Sequence, residues 1–276
     1  MKLRVRDTYL PLDRCAVMGV LNVTPDSFSD GGLWLDPDAA VRHALEMAAQ
    51  GAAIIDVGGE STRPGAQAVP EDEELERVIP VVEALSARAD LLVSIDTRKP
   101  RVAKMAVEAG ASIINDTLGE ETDRTMDGVA AVAGAAVVVM HSRGTPATMR
   151  ELAHYGDVVT EVAAFLGRRV RELEDAGVPA DAIVIDPGFG FAKNASQNLQ
   201  LLKRLDEILG LGYPVLVGTS RKTFIGLTLD LPTDRRLEGT AATVAWAVMK
   251  GAHIVRVHDV EPIARTVRMI EAIKAS

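Results

Sequence analysis

The sequence is poor in cysteine and in positive charge, and each shortage excludes a class of protein. Cys15 is the only cysteine among 276 residues, so no internal disulfide forms, and this fits a reducing compartment such as the cytoplasm. Lys and Arg number 30 against 39 Asp and Glu, a formal net charge of −9. That balance argues against a general nucleic-acid binder. It does not exclude an anionic substrate, because local basic groups set the field inside a pocket.

Long apolar runs and closely spaced metal ligands are also lacking. No stretch is long and apolar enough to span a membrane, so we expect no membrane partner. Residues 1–6 contain no apolar core of a signal peptide. The five histidines lack the spacing of paired ligands and Cys15 has no partner, so a structural zinc site is not expected.

Short apolar runs alternate with helical patterns along the chain. The runs predict buried strands at residues 16–21, 53–57, 91–95, 112–114, 136–140, 182–185, 214–217 and 253–257. The helical patterns cover residues 37–50, 71–89, 99–109, 123–133, 157–176, 197–209, 235–250 and 261–274. Glycines at the ends of four of these patterns predict helix stops, namely Gly51, Gly110, Gly177 and Gly251. Residues 2–13 alternate charged and apolar side chains and predict a small hairpin that covers one end of the domain.

This alternation predicts an α/β fold, a single-domain (β/α)8 TIM barrel over residues 1–276 with a short N-terminal hairpin. An open doubly wound sheet is the alternative, and the count of eight evenly spaced strands favours the barrel. In a barrel the functional groups lie at the carboxyl ends of the strands. Polar side chains lie at or just beyond the carboxyl end of every predicted strand: Asn22, Asp56, Asp96, Asn115, His141, Asp186, Ser220 with Arg221 and Lys222, and Arg256 with His258.

The last predicted strand carries two basic residues on one face. Arg256 and His258 share a face with Ile254, whereas Val255 and Val257 occupy the other. We therefore expect both basic side chains to point inward at the mouth of the barrel. An unpaired guanidinium there would be costly, and we expect an anionic ligand to relieve that cost.

Two loop segments are the most specific motifs of the sequence. Residues 22–32 read Asn-Val-Thr-Pro-Asp-Ser-Phe-Ser-Asp-Gly-Gly, and residues 56–65 read Asp-Val-Gly-Gly-Glu-Ser-Thr-Arg-Pro-Gly. Shorter motifs follow at residues 94–97, 114–116, 186–191, 218–222 and 256–259. In this order the segments resemble the signatures of the dihydropteroate synthase family, and the resemblance extends from about residue 16 to the end of the chain.

The resemblance implies a transferase of folate biosynthesis. In that reaction the amine of p-aminobenzoate displaces pyrophosphate from 6-hydroxymethyl-7,8-dihydropterin pyrophosphate and gives 7,8-dihydropteroate. A dissociative substitution is expected, because the pterin ring delocalises the positive charge left on the methylene. The resemblance also implies Mg2+ as cofactor, a homodimer, a cytoplasmic location and a target of sulfonamides.

The resemblance further assigns residues to the parts of this site. The catalytic set is Asn22, Asp96, Asp186, Lys222, Arg256 and His258, with Asn22 as the metal ligand beside the pyrophosphate. Asp96, Asn115, Met140, Asp186, Lys222 and Arg256 are implied to bind the pterin. The aminobenzoate site is implied to use Phe28, Thr62, Arg63, Pro64, Phe191 and Ser220. Gly218 is also implied to bind substrate. Both signature loops contain Gly, Ser and Pro, so we expect them to close over the pyrophosphate and to complete the aminobenzoate site late.

Two other functions remain open at this point. A pterin-dependent methyltransferase on the same barrel would share the carboxylates that bind the pterin edge, but not the two loop signatures. A non-catalytic paralogue would retain the pterin pocket without turnover. Binding of the pterin pyrophosphate and turnover, measured together, distinguish the three.

Overall fold

A computed structural model describes residues 1–24, 37–61, 68–88, 91–121 and 124–276. A hairpin comes first, with strands β1 (Lys2–Val5) and β2 (Thr8–Pro11) paired antiparallel. The strands that follow are β3 (Ala16–Asn22), β4 (Ile54–Gly58), β5 (Leu92–Thr97), β6 (Ile113–Asp116), β7 (Ala136–Met140), β8 (Ile183–Asp186), β9 (Leu216–Val217) and β10 (Ile254–Val257).

These eight strands form one parallel sheet in the order β8-β7-β6-β5-β4-β3-β10-β9. A parallel bridge between Ile185 and Val215 joins its two ends, so the sheet curls into a nearly closed barrel. The barrel prediction is therefore confirmed, and the open doubly wound sheet is wrong. β9 is shorter than predicted: Pro214 has no N–H to donate, and the Val215 N–H donates to the His253 ring Nδ1 at 3.1 Å instead of to a neighbouring strand.

Helices follow most of the strands and cover the outside of the barrel. They are α1 (Pro37–Ala49), α2 (Glu71–Ser86), α3 (Pro100–Glu108), α4 (Arg124–Ala133), α5 (Val158–Asp175), α6 (Ala195–Lys203), α7 (Leu205–Leu209), α8 (Thr223–Leu229), α9 (Leu237–Lys250) and α10 (Val260–Ala275). All four glycines predicted as helix stops have left-handed φ angles between 99° and 118°. No helix in these described segments has the length and apolar composition to cross a membrane.

The structure corrects the predicted helices at two places. The pattern over residues 197–209 is two helices, because the chain leaves the helical conformation at Arg204, where φ is −106° and ψ is 29°. α8 was not predicted at all. Its sequence contains β-branched residues and Gly226, which disfavour a helix, and burial of Phe224 and Ile225 in the core stabilises it instead.

Alternation along each strand separates two apolar cores. Val255 and Val257 face the helices, whereas Ile254 belongs to a second cluster inside the barrel. Leu3 and Val5 of the hairpin join that inner cluster. The hairpin therefore closes the amino-terminal end of the barrel, as predicted, and the opposite end is left for polar side chains.

Five strands extend one or two residues beyond their predicted ends, so that each includes a polar residue or glycine. Asp96 and Asn115 are examples, since they pair with each other in register on β5 and β6. Hydrogen bonds to neighbouring strands hold the backbone of such residues, and their side chains are consequently placed by the barrel and not by a loop.

Candidate active site

The carboxyl ends of the strands bring most of the predicted site residues to one mouth. Asn22, Asp96, Asn115, Met140 and Asp186 each lie in the last two residues of a barrel strand. Arg256 precedes the last residue of β10, and Gly218 and His258 directly follow β9 and β10. Since parallel strands end at the same edge, these side chains surround one space above the inner core.

Arg256 lies at the centre of this space and is held by two carboxylates. Its Nε donates to Asp56 Oδ2 at 2.6 Å and its Nη2 donates to Asp96 Oδ2 at 2.6 Å. The inward direction predicted for Arg256 is therefore correct. The expectation that the guanidinium is unpaired without a ligand is wrong, because strands β4 and β5 supply its counter-charges.

The Asp96 carboxyl is shaped by burial and by its charged neighbours. Burial raises its pKa to about 7, whereas the Arg256 charge lowers the pKa and the Asp56 and Glu74 charges raise it further. Asp96 thus titrates close to neutral pH. A ligand that donates a hydrogen bond to its carboxylate would favour the charged form.

Asp186 is the last residue of β8, and only one of its carboxylate oxygens accepts a hydrogen bond from the described residues. Its Oδ1 accepts from the backbone N–H of Gly188 at 2.7 Å, and Oδ2 has no hydrogen bond from the described part of the chain. Burial raises the pKa of Asp186 to about 6, against the opposing effect of Gly188 and the Lys222 charge. Met140 pairs in register with Asp186 on the neighbouring strand and borders the same space.

Lys222 and Phe191 form one side of the mouth. The Lys222 Nζ lies over the Phe191 ring, 4.1 Å from its centroid. The turn of Gly190 brings the two together, since a side chain at that glycine would meet Lys222 Cδ at 2.9 Å. Lys222 directly precedes α8, the helix that sequence patterns did not reveal.

Ser220 and His258 connect the loops after β9 and β10. Ser220 Oγ lies 3.0 Å from His258 Nδ1 and accepts from the backbone N–H of His258 at 3.2 Å. The contact orients the imidazole from its Nδ1 side. Gly218 lies beside Arg256, where an added Cβ would be 3.9 Å from the arginine Cβ.

Asn22 ends β3, which lies between β4 and β10 in the barrel. Gly58 lies between Asn22 and Asp96, since a Cβ added at this glycine would be 3.9 Å from Asn22 Oδ1 and 3.5 Å from Asp96 Cβ. The described segments contain no group of three or more His, Cys, Asp and Glu side chains arranged to hold a metal ion. Asn22 alone offers one amide oxygen of the kind that Mg2+ accepts.

Four predicted residues of the aminobenzoate site lie outside the described residues, namely Phe28, Thr62, Arg63 and Pro64. Beside the second of these segments, the Glu60 carboxylate accepts from the Val69 N–H at 3.2 Å and from Lys99 Nζ at 2.5 Å.

Sequence reasoning placed Asp56 at the carboxyl end of a strand but left it out of the site. The structure places it inside β4, fully buried, in contact with both Arg256 and Asn115. Alternation over residues 54–58 contains the signal, because it puts a charged side chain on the same inward face as Ile54. His141 also lies at the end of a predicted strand, but its side chain does not join the site. It is buried away from the mouth, with its ring 5.0 Å from Phe165 of α5 and its Nδ1 2.9 Å from Lys193 Nζ.

The fold agrees with comparisons to known proteins. The family model described as "Pterin binding enzyme" matches residues 18–258. A dihydropteroate synthase of Bacillus subtilis is 50% identical over 260 residues, which cover 94% of this chain and 89% of the relative. The Escherichia coli K12 dihydropteroate synthase is 47% identical over 272 residues, covering 99% of this chain and 96% of the relative.

Solved structures give the same result. A Yersinia pestis dihydropteroate synthase in complex with a sulfonamide drug superposes with a TM-score of 0.94 at 43% identity, with 100% of both chains covered. A Xanthomonas albilineans dihydropteroate synthase with 4-aminobenzoic acid has a TM-score of 0.92 at 45% identity and covers 100% of this chain and 98% of that one. The chain belongs to the pterin-binding enzymes and, among them, to the dihydropteroate synthase family. It is a transferase of that family.

Proposed function

We propose that this chain condenses p-aminobenzoate with 6-hydroxymethyl-7,8-dihydropterin pyrophosphate to give 7,8-dihydropteroate and pyrophosphate. The observation that carries the proposal is the convergence of Asp96, Asn115 and Asp186 around Arg256 at the barrel mouth: Asp96 accepts from Arg256, Asn115 shares Asp56 with it, and the Asp186 charge acts on it. A pterin edge presents adjacent donors and acceptors much as guanine does, and carboxylate and amide groups pair with such an edge. The methyltransferase alternative is disfavoured, since the relatives that align over nearly the whole chain are synthases.

Asp186 and Asn115 recognise the pterin in this proposal. The Asp186 Oδ2 atom accepts from the ring's own donors, because Oδ1 is already engaged by Gly188. Met140 and the plane of Arg256 border the ring, and a guanidinium plane stacks well on an aromatic system. Lys222 binds at the same side, where its Nζ is held near Phe191.

The main electrostatic task is departure of a strongly anionic leaving group. The bond between the methylene carbon and the bridging oxygen breaks, and its electron pair leaves with pyrophosphate. Buried carboxylates of Asp96 and Asp186 then stabilise the cation spread over the pterin. The aniline nitrogen donates its lone pair to the methylene carbon and afterwards loses a proton, so no general base is required before attack. Arg256 and His258 face the pyrophosphate.

Mg2+ is the proposed cofactor. Asn22 would supply one oxygen ligand, with pyrophosphate oxygens and water completing the shell, as is usual for this ion. The ion would neutralise charge on the leaving group. We expect pyrophosphate to bind more tightly when Mg2+ is present, and Asn22→Ala to reduce that gain. Calorimetry that detects tight Mg2+ binding without any phosphate would contradict this arrangement.

The second substrate is proposed to bind between Phe191, Gly218 and Ser220 and the segments that contain Phe28, Thr62, Arg63 and Pro64. We also propose that residues 1–276 form one domain, since the hairpin and the barrel share an apolar core. The single cysteine supports a cytoplasmic location.

A homodimer is proposed because α9 and α10 expose large apolar side chains. Trp246 and Met249 of α9 and Met269 and Ile273 of α10 are 50–62% exposed. A second copy of the chain would cover such a face. Sedimentation at micromolar concentration tests this, and Met249→Glu should shift the protein to a monomer.

The function itself is tested by two measurements on the same preparation. Calorimetry follows binding of the pterin pyrophosphate, and a coupled assay follows release of pyrophosphate on addition of p-aminobenzoate. A synthase gives both binding and turnover. Binding without turnover would identify a non-catalytic paralogue, and failure to bind the pterin pyrophosphate would overturn the proposal.

A further inference from the structure

Asp56 is a buried carboxylate beneath the proposed pterin site. It lies on β4 with its side chain inside the barrel, and its backbone pairs in register with Val20 and Ser94 on the two neighbouring strands. Ser94 is two residues before Asp96, so Asp56 lies one layer deeper than Asp96. No solvent reaches the Asp56 side chain. Direct contact with a ring bound at the mouth is therefore not its obvious role.

One oxygen of Asp56 controls the orientation of Asn115. Asn115 Nδ2 donates to Asp56 Oδ2 at 3.0 Å, and both side chains are buried. The opposite amide orientation would bring Asn115 Oδ1 against a carboxylate oxygen, two acceptors facing each other. Asp56 thus directs the Asn115 amide nitrogen toward the interior of the barrel. Asn115 Oδ1, which receives no hydrogen bond from the described residues, remains an acceptor for a ligand.

The same oxygen also fixes the guanidinium of Arg256. Oδ2 of Asp56 accepts from Nε, while Asp96 on the next strand accepts from Nη2. Two hydrogen bonds at different nitrogens hold a planar group in one orientation, whereas one bond would leave it free to rotate. Asp56 therefore holds both the Asn115 amide and the Arg256 guanidinium in position.

We propose that Asp56 is a positioning residue, which sets the donor–acceptor pattern of Asn115 and the plane of Arg256 for the pterin ring. The inference rests on the proposed function of the mouth. Asp56 acts through two residues that touch the substrate. Its removal should therefore impair pterin recognition more than recognition of p-aminobenzoate.

The test compares Asp56→Asn with Asn115→Ala and with the double variant. In Asp56→Asn the amide oxygen can still accept from Asn115 Nδ2 and Arg256 Nε, but the negative charge beside Arg256 is lost and the new NH2 group replaces Oδ1, which is buried and has no hydrogen-bond partner among the described residues. We therefore expect pterin pyrophosphate to bind about tenfold more weakly or worse. If Asp56 acts partly through Asn115, the loss in the double variant is smaller than the product of the two single losses. The KM for p-aminobenzoate should change less than the pterin affinity.

A buried carboxylate elsewhere provides the matched control. Asp127 of α4 is also buried and accepts two hydrogen bonds from Arg169, at 2.8 and 3.1 Å, but lies outside the barrel. Asp127→Asn should lower the unfolding midpoint and leave pterin affinity unchanged. If Asp56→Asn shows that same pattern, Asp56 has only a structural role and the proposal is wrong.

The pH profile gives a readout that a structural role would not move. The Asp96 carboxyl faces Arg256 of β10, Asp56 of β4, Glu74 of α2 and the Thr117 hydroxyl. Loss of the Asp56 charge lowers the pKa of Asp96, so the acid limb of kcat/KM should shift to lower pH in Asp56→Asn. Asp56→Glu keeps the charge but moves the oxygen, so it should weaken pterin binding with a smaller shift of that limb.

Three outcomes decide the matter. Wild-type protein that neither binds the pterin pyrophosphate nor turns it over overturns the proposed function itself. Wild-type binding together with unchanged affinity in Asp56→Asn overturns the positioning role alone. Should Asp56→Asn not fold, Asp56→Glu carries the test, and wild-type affinity in that variant rejects the inference.

Discussion

Asp186 shows how a backbone contact determines what a side chain offers to a ligand. Gly188 N–H occupies Oδ1, at 2.7 Å. In Asp186→Asn the amide oxygen must remain at that N–H, so the new NH2 group faces the ligand's donors. A mismatched buried hydrogen bond costs about 1–3 kcal/mol. We expect pterin affinity to fall at least tenfold, as measured by calorimetry.

Asp206→Asn is the control for this substitution. Asp206 is an exposed carboxylate of α7 that accepts from Lys250 Nζ of α9 at 2.7 Å, among the helices that surround the barrel. Its neutralisation should leave pterin affinity unchanged. Equal affinity of Asp186→Asn and the wild-type protein would exclude Asp186 as the partner of the pterin edge.

Gly188 itself is required for two separable reasons. Its φ of +69° is left-handed, and an added Cβ would lie 1.9 Å from the backbone oxygen of His141. Gly134 has a similar φ of +63°, but an added Cβ there meets nothing within 4 Å. Gly134→Ala should therefore cost about 1 kcal/mol of unfolding free energy, from backbone strain alone. Gly188→Ala should cost several times more, because the backbone must also move.

Urea unfolding of both glycine variants measures the difference. Gly188→Ala should in addition weaken pterin binding, since displacement of residue 188 removes the hydrogen bond that orients Asp186. Equal losses of stability in the two variants would show that the contact with His141 relaxes easily.

The connection between α2 and β5–α3 depends on a buried ion pair. Glu74 of α2 is 1% exposed, and it accepts from Thr97 Oγ1 at 2.7 Å and from Lys99 Nζ. Lys99 also binds Glu60 at 2.5 Å. One lysine therefore links the helix to Glu60 in the second signature segment. Removal of one partner leaves a buried charge without compensation, which is far more costly than loss of a surface pair.

Lys99→Met should lower the free energy of unfolding by about 3–5 kcal/mol, because the Glu74 carboxylate is left buried. Arg101→Ala is the matched control. Arg101 lies two residues further on and pairs with Glu71 and Asp72 of the same helix, but its side chain is 52% exposed. Loss of such a surface pair costs about 0–1 kcal/mol. Chemical denaturation that gives equal losses would contradict the assigned role of Glu74.

The pH dependence of the unfolding free energy is the sum of contributions from buried groups, and a buried histidine and buried carboxyls contribute with opposite signs. Burial lowers the pKa of His141 to about 2. In the unfolded chain this histidine binds a proton below about pH 6.5, and in the folded protein it does not, so stability is lost as pH falls through that range. Burial raises the pKa of Asp116 and Asp186 to about 6. These carboxyls bind protons in the folded protein before they do so in the unfolded chain, so their contribution to stability increases as pH falls through the same range.

The His141 contribution is isolated by comparison of wild type with His141→Gln. The difference in unfolding free energy between the two proteins should change with a slope of up to about 1.4 kcal/mol per pH unit between pH 6.5 and 4. Lys193, whose pKa is lowered by burial to about 7, is protonated in both states over most of this window. A pH-independent difference would mean that His141 becomes protonated inside the folded protein.

Local patterns are sufficient for the arrangement of the chain. Short, nearly continuous apolar runs and helical patterns of period 3.6 extend over no more than about 20 residues and predicted the barrel. Alternation over residues 2–13 predicted the hairpin, and glycines predicted the helix stops. The inward face of Arg256 also follows from alternation alone. The polar ends of the strands were recognised for the same reason, although their hydrogen bonding to neighbouring strands was not.

Pairing between distant residues depends on closure of the barrel and has no local signal. Arg256 meets Asp56, 200 residues earlier, and Asp96, 160 residues earlier. The chain alone indicated a costly cation that awaits a ligand, because nothing near residue 256 reveals its counter-charges. α8 is similar, since its own residues disfavour a helix and core burial of Phe224 and Ile225 stabilises it. Sequence patterns thus specify which side chains reach the mouth. Three-dimensional packing specifies which charges neutralise one another there. The reason is that Coulomb and hydrogen-bond energies depend on distance in space and not on distance along the chain.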